Sequence, residues 1–335
     1  MRVMALRSPA GLDGLSMEDR PDPGQPGPGQ IRVALHGSSL NFHDLGVATG
    51  RMPTAHGRVP LADGAGVVES VGEGVTEFAV GDVVVSCFFP AWQDGGPTIG
   101  DFAGTPGDGI DGFAQDCVVR PATAFTHAPR GYDAVQAATI TTAGLTAWRA
   151  LVVDGKLKPG DTILLLGTGG VSIWALQIGK LMGAKVAITS SSGEKLERAR
   201  DMGADYLVNY RDHNNWGRLV RDWTGGRGVD HVVEVGGPGT LGQSIEAVRV
   251  GGHISLIGVL TGGAGEVPTA ALMAKQARLQ GLIVGSRREQ QDFVRALDGG
   301  TILPVVDRRF PLEQLADAFQ FEMSGGHFGK IGVEW

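Results

Sequence analysis

The distribution of hydrophobic positions divides the chain into two regions with different periodicities. From Met1 to about Arg120, short apolar stretches alternate with turn residues, as in "IRVALHG", where Ile31, Val33 and Leu35 occupy every second position. This period of two predicts a first region formed mostly of β-strands. From about Thr142 to Gly285, apolar strands alternate with helical segments, a pattern typical of a parallel sheet with helices on both faces.

The second region contains six apolar segments that we predict to be β-strands. They span Thr162 to Leu166, Lys185 to Thr189, Tyr206 to Val208, Val229 to Val235, His253 to Ile257 and Leu279 to Val284. Near the end of the chain, "PLEQLADAFQFEM" places Leu312, Leu315 and Phe319 on one helical face, and "KIGVEW" has the pattern of a closing strand. We expect this last segment to return to the first region.

Composition limits what the protein can be. Its 335 residues suit two domains of about 100 to 200 residues each. Hydrophobic residues make up 42% of the chain, but no apolar run approaches the roughly 20 residues that cross a bilayer. The net charge of −7 argues against broad binding to nucleic acid or anionic lipid, which both favour basic surfaces. We therefore expect a soluble protein without nucleic-acid or membrane partners.

Cysteine usage and the first residues bear on the compartment. Two cysteines, Cys87 and Cys117, exclude a disulfide framework and fit a reducing environment. The opening "MRVMALRSPAG" lacks the apolar segment of a signal peptide. We therefore expect a cytoplasmic protein in which both cysteines are buried small residues.

The stretch "LLLGTGGVSIWA", residues 164–175, joins an apolar strand to a helix through a glycine-rich turn. Gly167, Gly169 and Ser172 occupy the three positions of the G-x-G-x-x-G motif, and serine is small enough for the third. The first glycine permits the tight turn, and the second lets the backbone approach a pyrophosphate. The helix that follows offers N–H groups and partial positive charge to the phosphates. The motif predicts a dinucleotide site, the alternative being a turn without a ligand.

The end of the second strand of this region, within "AITSSSGEKLERAR", indicates which dinucleotide is bound. Sites for NAD normally carry an acid there, which binds the ribose 2′-hydroxyl. Here Ser190, Ser191 and Ser192 take that place, with Lys195 and Arg198 beyond. Hydroxyls and a lysine can bond to a 2′-phosphate, which an acid would repel. NADPH is therefore expected in preference to NADH, the alternative being that the two basic residues are merely solvated.

Six motifs follow one another along nearly the whole chain. They are "SSLNFHDL" (38–45), "GAGVVESVGEGVTEFAVGDVV" (64–84), "TITTAGLTAWRAL" (139–151), "LLLGTGGVS" (164–172), "GGHISLIG" (251–258) and "LQGLIVGSR" (279–287). This ordered set resembles the medium-chain dehydrogenase/reductase (MDR) superfamily, and within it the zinc-free quinone oxidoreductase-like branch. The resemblance implies an α/β fold in which a Rossmann domain, with a doubly wound parallel six-stranded sheet, is inserted into a GroES-like β-barrel catalytic domain. It places the catalytic domain at 1–143 plus 284–335 and the Rossmann domain at 144–283.

The resemblance also implies which residues bind the cofactor, in a cleft between the domains. Besides Gly167, Gly169, Ser190, Ser191 and Lys195, these are Gly170, Val171, Thr142, Thr146, Tyr210, Ile257, Gly258, Val259, Ile283, Arg287 and Lys330. Tyr210 is expected near the adenine, Arg287 near the nicotinamide ribose or the phosphates, and Lys330 at a phosphate. Members commonly pair through the last strand of the nucleotide sheet, so a homodimer is expected.

Zinc-containing members of the family place Cys, His and Cys ligands where this chain has Asn41, Ala62 and Thr142. These side chains cannot replace a site of thiolates and imidazole. The structural zinc lobe of such members needs four cysteines in a short loop, whereas the loop 87–117 has cysteines only at its two ends. Another combination of metal ligands would be His43, His56, Asp63 and Cys87. Their separations along the chain match no known spacing of metal ligands. We therefore expect a protein without zinc.

Without zinc, hydrogen-bond donors have to stabilise the negative charge that hydride transfer places on the substrate oxygen. Donors suffice more readily for a conjugated carbonyl, whose enolate spreads the charge, than for a simple ketone. The candidates lie in "LNFHD": Asn41 as an amide donor to substrate or cofactor, and His43, whose imidazole is expected to titrate near neutral pH and act as general acid. Asp44 is expected to orient the loop, and Asp63 to support it. The alternative for His43 is a polar loop residue that contacts solvent or Asp44.

The stretch "CFFPAWQDG" brings Phe88, Phe89 and Trp92 together. These residues predict the wall of an apolar substrate pocket or, alternatively, plain core packing. Quinone reductases of this branch often carry a tyrosine where this chain has Gly46. This difference weakens the support for a quinone as the substrate.

The leading hypothesis is an NADPH-dependent reductase of activated C=C bonds in an enone, enal or quinone. Its expected substrate is a hydrophobic carbonyl compound of the small-molecule class, and the three aromatic residues favour a larger one. One alternative is a zinc-independent NAD(P)-dependent alcohol dehydrogenase or ketone reductase. The other is a non-catalytic NADPH-binding protein.

Overall fold

The computed structural model describes residues 1–335, and the chain forms two compact units. Met1–Leu145 and Val284–Trp335 together make one unit, called the β-rich unit here. Thr146–Ile283 makes the other, called the α/β unit. The α/β unit is thus a continuous segment, whereas the β-rich unit is assembled from both ends of the chain.

The first segment of the β-rich unit contains seven strands and two helices. The strands are β1 (Arg2–Leu6), β2 (Leu15–Asp19), β3 (Gln30–Ser39), β4 (Ala65–Val71), β5 (Val83–Ser86), β6 (Cys117–Pro121) and β7 (Phe125–His127). The helices are α1 (Phe42–Ala48) and α2 (Ala134–Ala138). Carboxylates fix both helix starts: Asp44 accepts the Asn41 N–H at 3.0 Å, and Asp133 accepts the Gln136 N–H at 2.8 Å.

The α/β unit alternates strands and helices. Helix α3 (Leu145–Trp148) leads into it, between two π-helical turns. The strands are β8 (Thr162–Leu166), β9 (Lys185–Ser190), β10 (Tyr206–Asn209), β11 (Val229–Glu234), β12 (Val248–Leu256) and β13 (Arg278–Gly281). The helices are α4 (Gly170–Leu181), α5 (Gly193–Asp201), α6 (Trp216–Trp223), α7 (Pro238–Ala247) and α8 (Thr269–Lys275).

These six strands form one parallel sheet in the order β10-β9-β8-β11-β12-β13. Strand order reverses beside β8, the first strand, which is the doubly wound arrangement of the Rossmann fold. The predicted fold class is confirmed. The last predicted strand is shorter than expected, because Val284 has a φ of 45°, outside the β region, and pairing with β12 stops at Gly281.

The chain then returns to the β-rich unit with α9 (Arg287–Asp298), β14 (Val306–Pro311), α10 (Leu315–Met323) and β15 (Lys330–Glu334). Strand β15 pairs with β3 in antiparallel fashion, and β14 pairs with β15. The resulting seven-stranded sheet has the order β14-β15-β3-β4-β5-β7, with β6 also paired to β3. The last strand therefore adjoins the strand that leads directly into α1.

Each unit has its own apolar core. In the α/β unit, Leu164, Val232 and Ile254 of neighbouring strands are buried with side chains of α6 and α7. In the β-rich unit, Leu45 of α1 and Phe319 of α10 belong to one buried cluster. Burial of each such side chain contributes about 1.5–3 kcal/mol, so this contact holds α1 in place.

Candidate active site

The backbone of the turn between β8 and α4 has open space over its glycines. Gly167 has a φ of 71°, which favours glycine, and a Cβ built on Gly167 or Gly169 would meet no heavy atom within 4 Å. No side chain caps α4, so the N–H groups of its first turn, among them those of Gly170 and Val171, have no partner within the helix. Open space, N–H donors and the positive end of a helix together fit the pyrophosphate of a dinucleotide.

Two side-chain hydroxyls hold this turn in place through hydrogen bonds. The Oγ of Ser172 is buried and donates to the Leu166 carbonyl oxygen at 2.7 Å. The Gly167 N–H donates to Thr189 Oγ1 at 3.3 Å. The serine at the third motif position thus ties the first turn of α4 to the end of β8. Thr189 lies outside the motif and is not among the predicted residues.

The carboxyl end of β9 carries hydroxyls. Ser190 Oγ accepts the Ser192 N–H at 3.2 Å, and Ser192 caps α5 by accepting the Lys195 N–H at 3.3 Å. The Tyr210 N–H donates to the Ser190 carbonyl oxygen at 3.1 Å, which brings Tyr210 to the same edge of the sheet. The structure thus groups Ser190, Ser191, Lys195 and Tyr210 at the ends of β9 and β10.

Ile257, Gly258 and Val259 follow β12 at this edge. The Ile257 N–H donates to the Glu234 carbonyl oxygen at 2.8 Å, and the Val259 side chain is exposed. Because β8, β11 and β12 are parallel neighbours, this turn and the glycine turn lie at the same edge of the sheet. The structure therefore groups these predicted residues with the glycine motif.

Glu234 is a site residue that the sequence analysis misses. Its buried carboxylate accepts the N–H groups of Gly236 at 2.8 Å and Gly237 at 3.0 Å, and the Thr240 hydroxyl at 2.6 Å. These bonds fix the turn from β11 to α7. The acid before a glycine pair in "EVGG" is the only sequence signal for this role.

Thr146 and Ile283 are the first and last residues of the α/β unit. Thr146 is buried, whereas the Ile283 side chain is exposed. The Ile283 carbonyl oxygen accepts a hydrogen bond from Arg149 Nη1 at 3.3 Å. Contact of either residue with a dinucleotide stays a prediction.

A buried polar network surrounds the start of α1 in the β-rich unit. Asp44 Oδ2 accepts the backbone N–H and the side-chain Nδ2–H of Asn41, both at 3.0 Å, and Asp44 Oδ1 accepts the Ala62 N–H at 2.9 Å. Lys330 Nζ donates to Asn41 Oδ1 at 2.6 Å and to the Leu40 carbonyl oxygen. Because lysine only donates and a carboxylate only accepts, these partners fix the orientation of the Asn41 amide.

This network corrects the roles expected for Asn41 and Lys330. Asn41 Nδ2 donates to Asp44 and, at 3.4 Å, to the Ser39 carbonyl oxygen, so neither amide hydrogen is free for a substrate or cofactor. Lys330 is only 3% exposed, and its ammonium is held by protein oxygens, with Asp63 Oδ2 3.7 Å away, rather than directed to a phosphate. Asp44 bonds to Asn41 and to the Ala62 N–H, and its role in orienting the loop stays a prediction.

Two carboxylates share this lysine. Asp63 Oδ1 accepts the Thr142 hydroxyl at 2.6 Å, and Asp63 Oδ2 accepts the Ser39 hydroxyl at 2.5 Å. Burial, together with the charge of Asp63, raises the pKa of Asp44 to about 7. Thr142, predicted as a cofactor contact, therefore has its hydroxyl hydrogen engaged inside the β-rich unit.

His43 lies in aromatic surroundings in the same unit. Its ring centroid is 4.6 Å from that of Phe102 and 5.5 Å from that of Phe88. Its Nε2 is 3.4 Å from Asp108 Oδ2 but makes no hydrogen bond. Burial lowers the pKa of His43 to about 4, so the expectation that it titrates near neutral pH is wrong for the folded protein. At pH 7 the imidazole is neutral and cannot act as a cationic acid.

The predicted aromatic trio is packed inside the β-rich unit. Phe88, Phe89 and Trp92 are each at most 3% exposed, and Phe89 stacks on Phe102 at 6.3 Å between ring centroids. A pocket of about 660 Å³ in this unit has apolar walls formed by Met52, Pro53, Ala55, Phe102 and Ala103. The trio does not line this pocket; it packs behind Phe102, as in the core-packing alternative.

Arg287 anchors the start of α9. Its Nε donates to the Phe125 carbonyl oxygen at 2.8 Å, and its Nη2 pairs with Glu77 Oε1 at 2.6 Å. Its backbone N–H donates to the Trp92 carbonyl oxygen at 2.9 Å. The guanidinium expected near the nicotinamide ribose or the phosphates is therefore engaged within the β-rich unit.

The residues present do not fit a zinc ion. No three or more His, Cys, Asp or Glu side chains are grouped so that they could hold a metal. Asn41 and Thr142, at two of the ligand positions of zinc members, are bonded to Asp44 and Asp63. Burial raises the pKa of Cys87 to about 12, which disfavours the thiolate that a metal requires.

Comparison with known proteins agrees with this architecture. Residues 27–130 match the alcohol dehydrogenase GroES-like domain, and residues 170–299 match the zinc-binding dehydrogenase family. The chain is 40% identical over 333 residues to a zinc-type alcohol dehydrogenase-like protein of Schizosaccharomyces pombe, a match that covers 96% of this chain and 95% of that protein.

Two solved structures extend the similarity. The crystal structure of an NAD-dependent alcohol dehydrogenase matches with a TM-score of 0.90 at 33% identity. A mycobacterial protein complexed with NADPH matches with a TM-score of 0.83 at 26% identity. Each match covers 100% of both chains.

The Rossmann sheet, its bare glycine turn and these matches define an NAD(P)-dependent oxidoreductase. The chain belongs to the medium-chain dehydrogenase/reductase superfamily. None of its helices combines the length and the apolar character that spanning a bilayer would require.

Proposed function

We propose that the protein is an NADPH-dependent reductase of activated carbon–carbon double bonds that works without zinc. Bound NADPH supplies a hydride, which adds to the β-carbon of an enone, enal or quinone. The electron pair of the double bond moves towards the carbonyl oxygen to form an enolate, and water then protonates the α-carbon. The proposal rests on one combination: a turn that fits a dinucleotide and a polar site that offers no zinc ligands.

The end of β9 supports NADPH over NADH. The match to an NAD-dependent alcohol dehydrogenase means that the fold alone does not decide the cofactor, so the preference depends on side chains. Ser190 and Ser191 offer hydroxyls, and the helix that begins beside them brings Lys195. In an NAD site an acid would stand there and would repel a 2′-phosphate.

A charge-introducing variant tests this preference. In Ser191→Asp, kcat/KM with NADPH should fall about tenfold or more, while kcat/KM with NADH should be kept or rise. Ser324→Asp in the β-rich unit is the matched control and should leave the ratio of the two cofactors unchanged. An unchanged ratio in Ser191→Asp would contradict the assignment of the 2′-phosphate to this group.

His43 is the candidate donor to the substrate oxygen. A neutral imidazole keeps one N–H, which can donate to an oxygen that becomes negative without requiring a charged histidine. Asn41 cannot do this while its amide hydrogens are bonded to Asp44 and Ser39. A conjugated acceptor suits a single neutral donor because its enolate spreads the charge.

The test of the reaction class is a comparison of acceptors. With NADPH, the enzyme should reduce an enone or enal at the double bond and leave the corresponding saturated ketone unchanged. The activity should survive dialysis against a zinc chelator, with elemental analysis showing no stoichiometric zinc. Reduction of the saturated ketone alone would eliminate the proposal.

A second candidate is a zinc-independent NAD(P)-dependent alcohol dehydrogenase or ketone reductase. The similarity to a zinc-type alcohol dehydrogenase-like protein of fission yeast and to an NAD-dependent alcohol dehydrogenase favours the chemistry of this candidate. The same assay separates the two, since this candidate requires turnover of the saturated ketone or of its alcohol.

We also propose that the protein forms a homodimer. Strand β13 is at the edge of the six-stranded sheet, so one side of its backbone is unpaired in this chain. Pairing of β13 with its copy would close this edge. Light scattering should show twice the mass of the chain, and Leu279→Pro in β13 should reduce it to the monomer mass.

A further inference from the structure

We propose that the pocket of the β-rich unit binds a substrate whose apolar body ends in a carboxylate, and that Arg51 binds this carboxylate. The inference rests on the proposed function and names its substrate class: an α,β-unsaturated carbonyl compound with a carboxylate remote from the carbonyl group. It starts from the size and walls of the pocket. Its volume of about 660 Å³ lies within the range of small-molecule sites, about 300–1,000 Å³, and its apolar walls suit an aliphatic body.

One of the two cations that line the pocket has no ion-pair partner. Arg51, Arg58 and Asp108 are its charged residues. Arg58 is neutralised, because its Nη1 is 3.2 Å from Asp111 Oδ1, and its Nη2 donates to the Gly109 carbonyl oxygen at 2.9 Å. Asp108 lies beside His43, and burial raises its pKa. One cation, Arg51, is left without a paired carboxylate.

The Arg51 guanidinium is held in position, but only part of its hydrogen-bonding capacity is used. Its Nε donates to Thr49 Oγ1 at 3.2 Å, and its Cζ lies 4.9 Å from the centre of the Phe42 ring. Neither contact uses the two Nη groups, which remain as a planar pair of donors. Glu322 of α10 interacts with Arg51 through space, but burial raises the pKa of Glu322 to about 7, so it compensates the cation only in part.

A carboxylate is the ligand that matches this arrangement. A planar guanidinium binds a carboxylate through two parallel hydrogen bonds, and a single negative charge matches the single charge of an arginine that has no ion-pair partner. A phosphate monoester would bring a charge of about −2, which one arginine does not balance. The shape of the donor group and the charge therefore favour the monoanion.

The pocket also adjoins the candidate donor. Phe102 and Asp108 line it, and both contact His43, whose ring is 4.6 Å from that of Phe102. A substrate with its carbonyl group at His43 can extend along the apolar walls to Arg51. The carboxylate and the reacting carbonyl are then at opposite ends of the molecule.

The experiment compares acids with their neutral counterparts. Linear 2-alkenals of increasing length with a terminal carboxylate, and the methyl ester of each, are assayed with saturating NADPH. For the wild type we expect kcat/KM of the acid to exceed that of its ester about tenfold or more at the best length. This ratio should fall to near one in Arg51→Gln and be partly kept in Arg51→Lys. Arg7→Gln, which removes an exposed arginine of the same unit, should keep the wild-type ratio.

Calorimetry supplies a readout that does not depend on turnover. The saturated aldehyde acid of the best length, which is the product of the reduction, should bind the wild type more tightly than its methyl ester, and Arg51→Gln should remove the difference. A wild-type ratio near one, or a ratio that Arg51→Gln leaves unchanged, would overturn the proposal and leave Arg51 as a solvated cation after the end of α1. If neither acids nor esters are reduced, the proposed function fails, and calorimetry alone then decides whether Arg51 binds the carboxylate.

Discussion

The two units form their candidate sites from different parts of the polypeptide, since one uses backbone groups and the other uses side chains. In the α/β unit, the turn that fits a dinucleotide consists of backbone: open space over Gly167 and Gly169 and the free N–H groups of α4. In the β-rich unit the polar groups are side chains, and those around Asn41 bond mainly to one another. A site made of backbone groups follows from local conformation. A site made of side chains depends on which residues, often far away in the chain, form hydrogen bonds with each donor and acceptor.

The largest expected effect concerns the buried cation of the β-rich unit. Lys330→Met would leave Asp44 and Asp63 without their shared ammonium, and the loss of one partner from a buried ionic group costs about 3–5 kcal/mol. Urea unfolding should show this loss. The exposed pair of Arg7 with Glu18 is the control, since Arg7→Ala should cost about 1 kcal/mol or less. Equal losses in the two variants would mean that the network is not a stabilising unit.

The backbone site is tested by filling the space over the glycine turn. Gly169 has a φ of −81°, which valine can adopt, and Gly169→Val should fold normally but weaken NADPH binding about 100-fold, because its side chain would occupy the place of the pyrophosphate. Fluorescence titration measures the affinity. Gly100→Val, at a glycine that is equally open but lies in the β-rich unit, should bind NADPH normally. Normal binding by Gly169→Val would place the dinucleotide elsewhere.

A smaller effect is expected at His43. His43→Ala should lower kcat for an enone about tenfold, through loss of one donor to the oxygen. Because burial lowers the pKa of His43 to about 4, the wild-type rate should show no inflection from this group between about pH 5.5 and 9. An inflection near pH 6.5 that disappears in the variant would show that the imidazole titrates as in water.

The smallest effect concerns stability against acid in the α/β unit. Burial and the nearby Arg278 lower the pKa of His253 to about 4, and Arg278 Nε donates to its Nδ1 at 2.8 Å, so this nitrogen cannot take a proton without losing the bond. Below about pH 6.5 the unfolded chain gains a proton that the folded chain does not. Stability should therefore be full above pH 6.5 and decline as the pH falls towards 4.

This decline is measurable as the difference between the unfolding free energies at pH 7.5 and at about pH 5.8. His253 should contribute about 1 kcal/mol to the difference, and His253→Gln should reduce the difference by that amount. A steeper loss in His253→Gln than in the wild type would contradict the assignment.

Much of the fold is predictable because its signals are local. The six strands of the α/β unit follow from apolar segments, and the glycine turn follows from a motif of six residues. The surroundings of His43 are not predictable, since Phe102 and Asp108 lie about 60 positions away in a loop without a motif. Nor does the sequence reveal the lowered pKa, which arises from burial by those residues.

The same reasoning explains why the sequence predicts cofactor contacts for two cations that the structure shows bonded within the β-rich unit. Arg287 and Lys330 stand in short motifs that resemble those of the family, but each forms its bonds with a segment far away in the chain. Arg287 pairs with Glu77, 210 positions earlier, and Lys330 bonds to Asn41, 289 positions earlier. Spacing within a motif carries no information about partners at such separations.

The partnership of β15 with β3 has a consequence for biosynthesis. The ribosome releases the α/β unit as one uninterrupted stretch, which can collapse as soon as its last strand has left the exit tunnel. The amino-terminal segment, although translated earlier, must wait for Lys330 before Asn41 gains its ammonium neighbour and β3 its final edge. During synthesis the α/β unit can therefore finish folding before the β-rich unit, although the β-rich unit contains the amino-terminal segment.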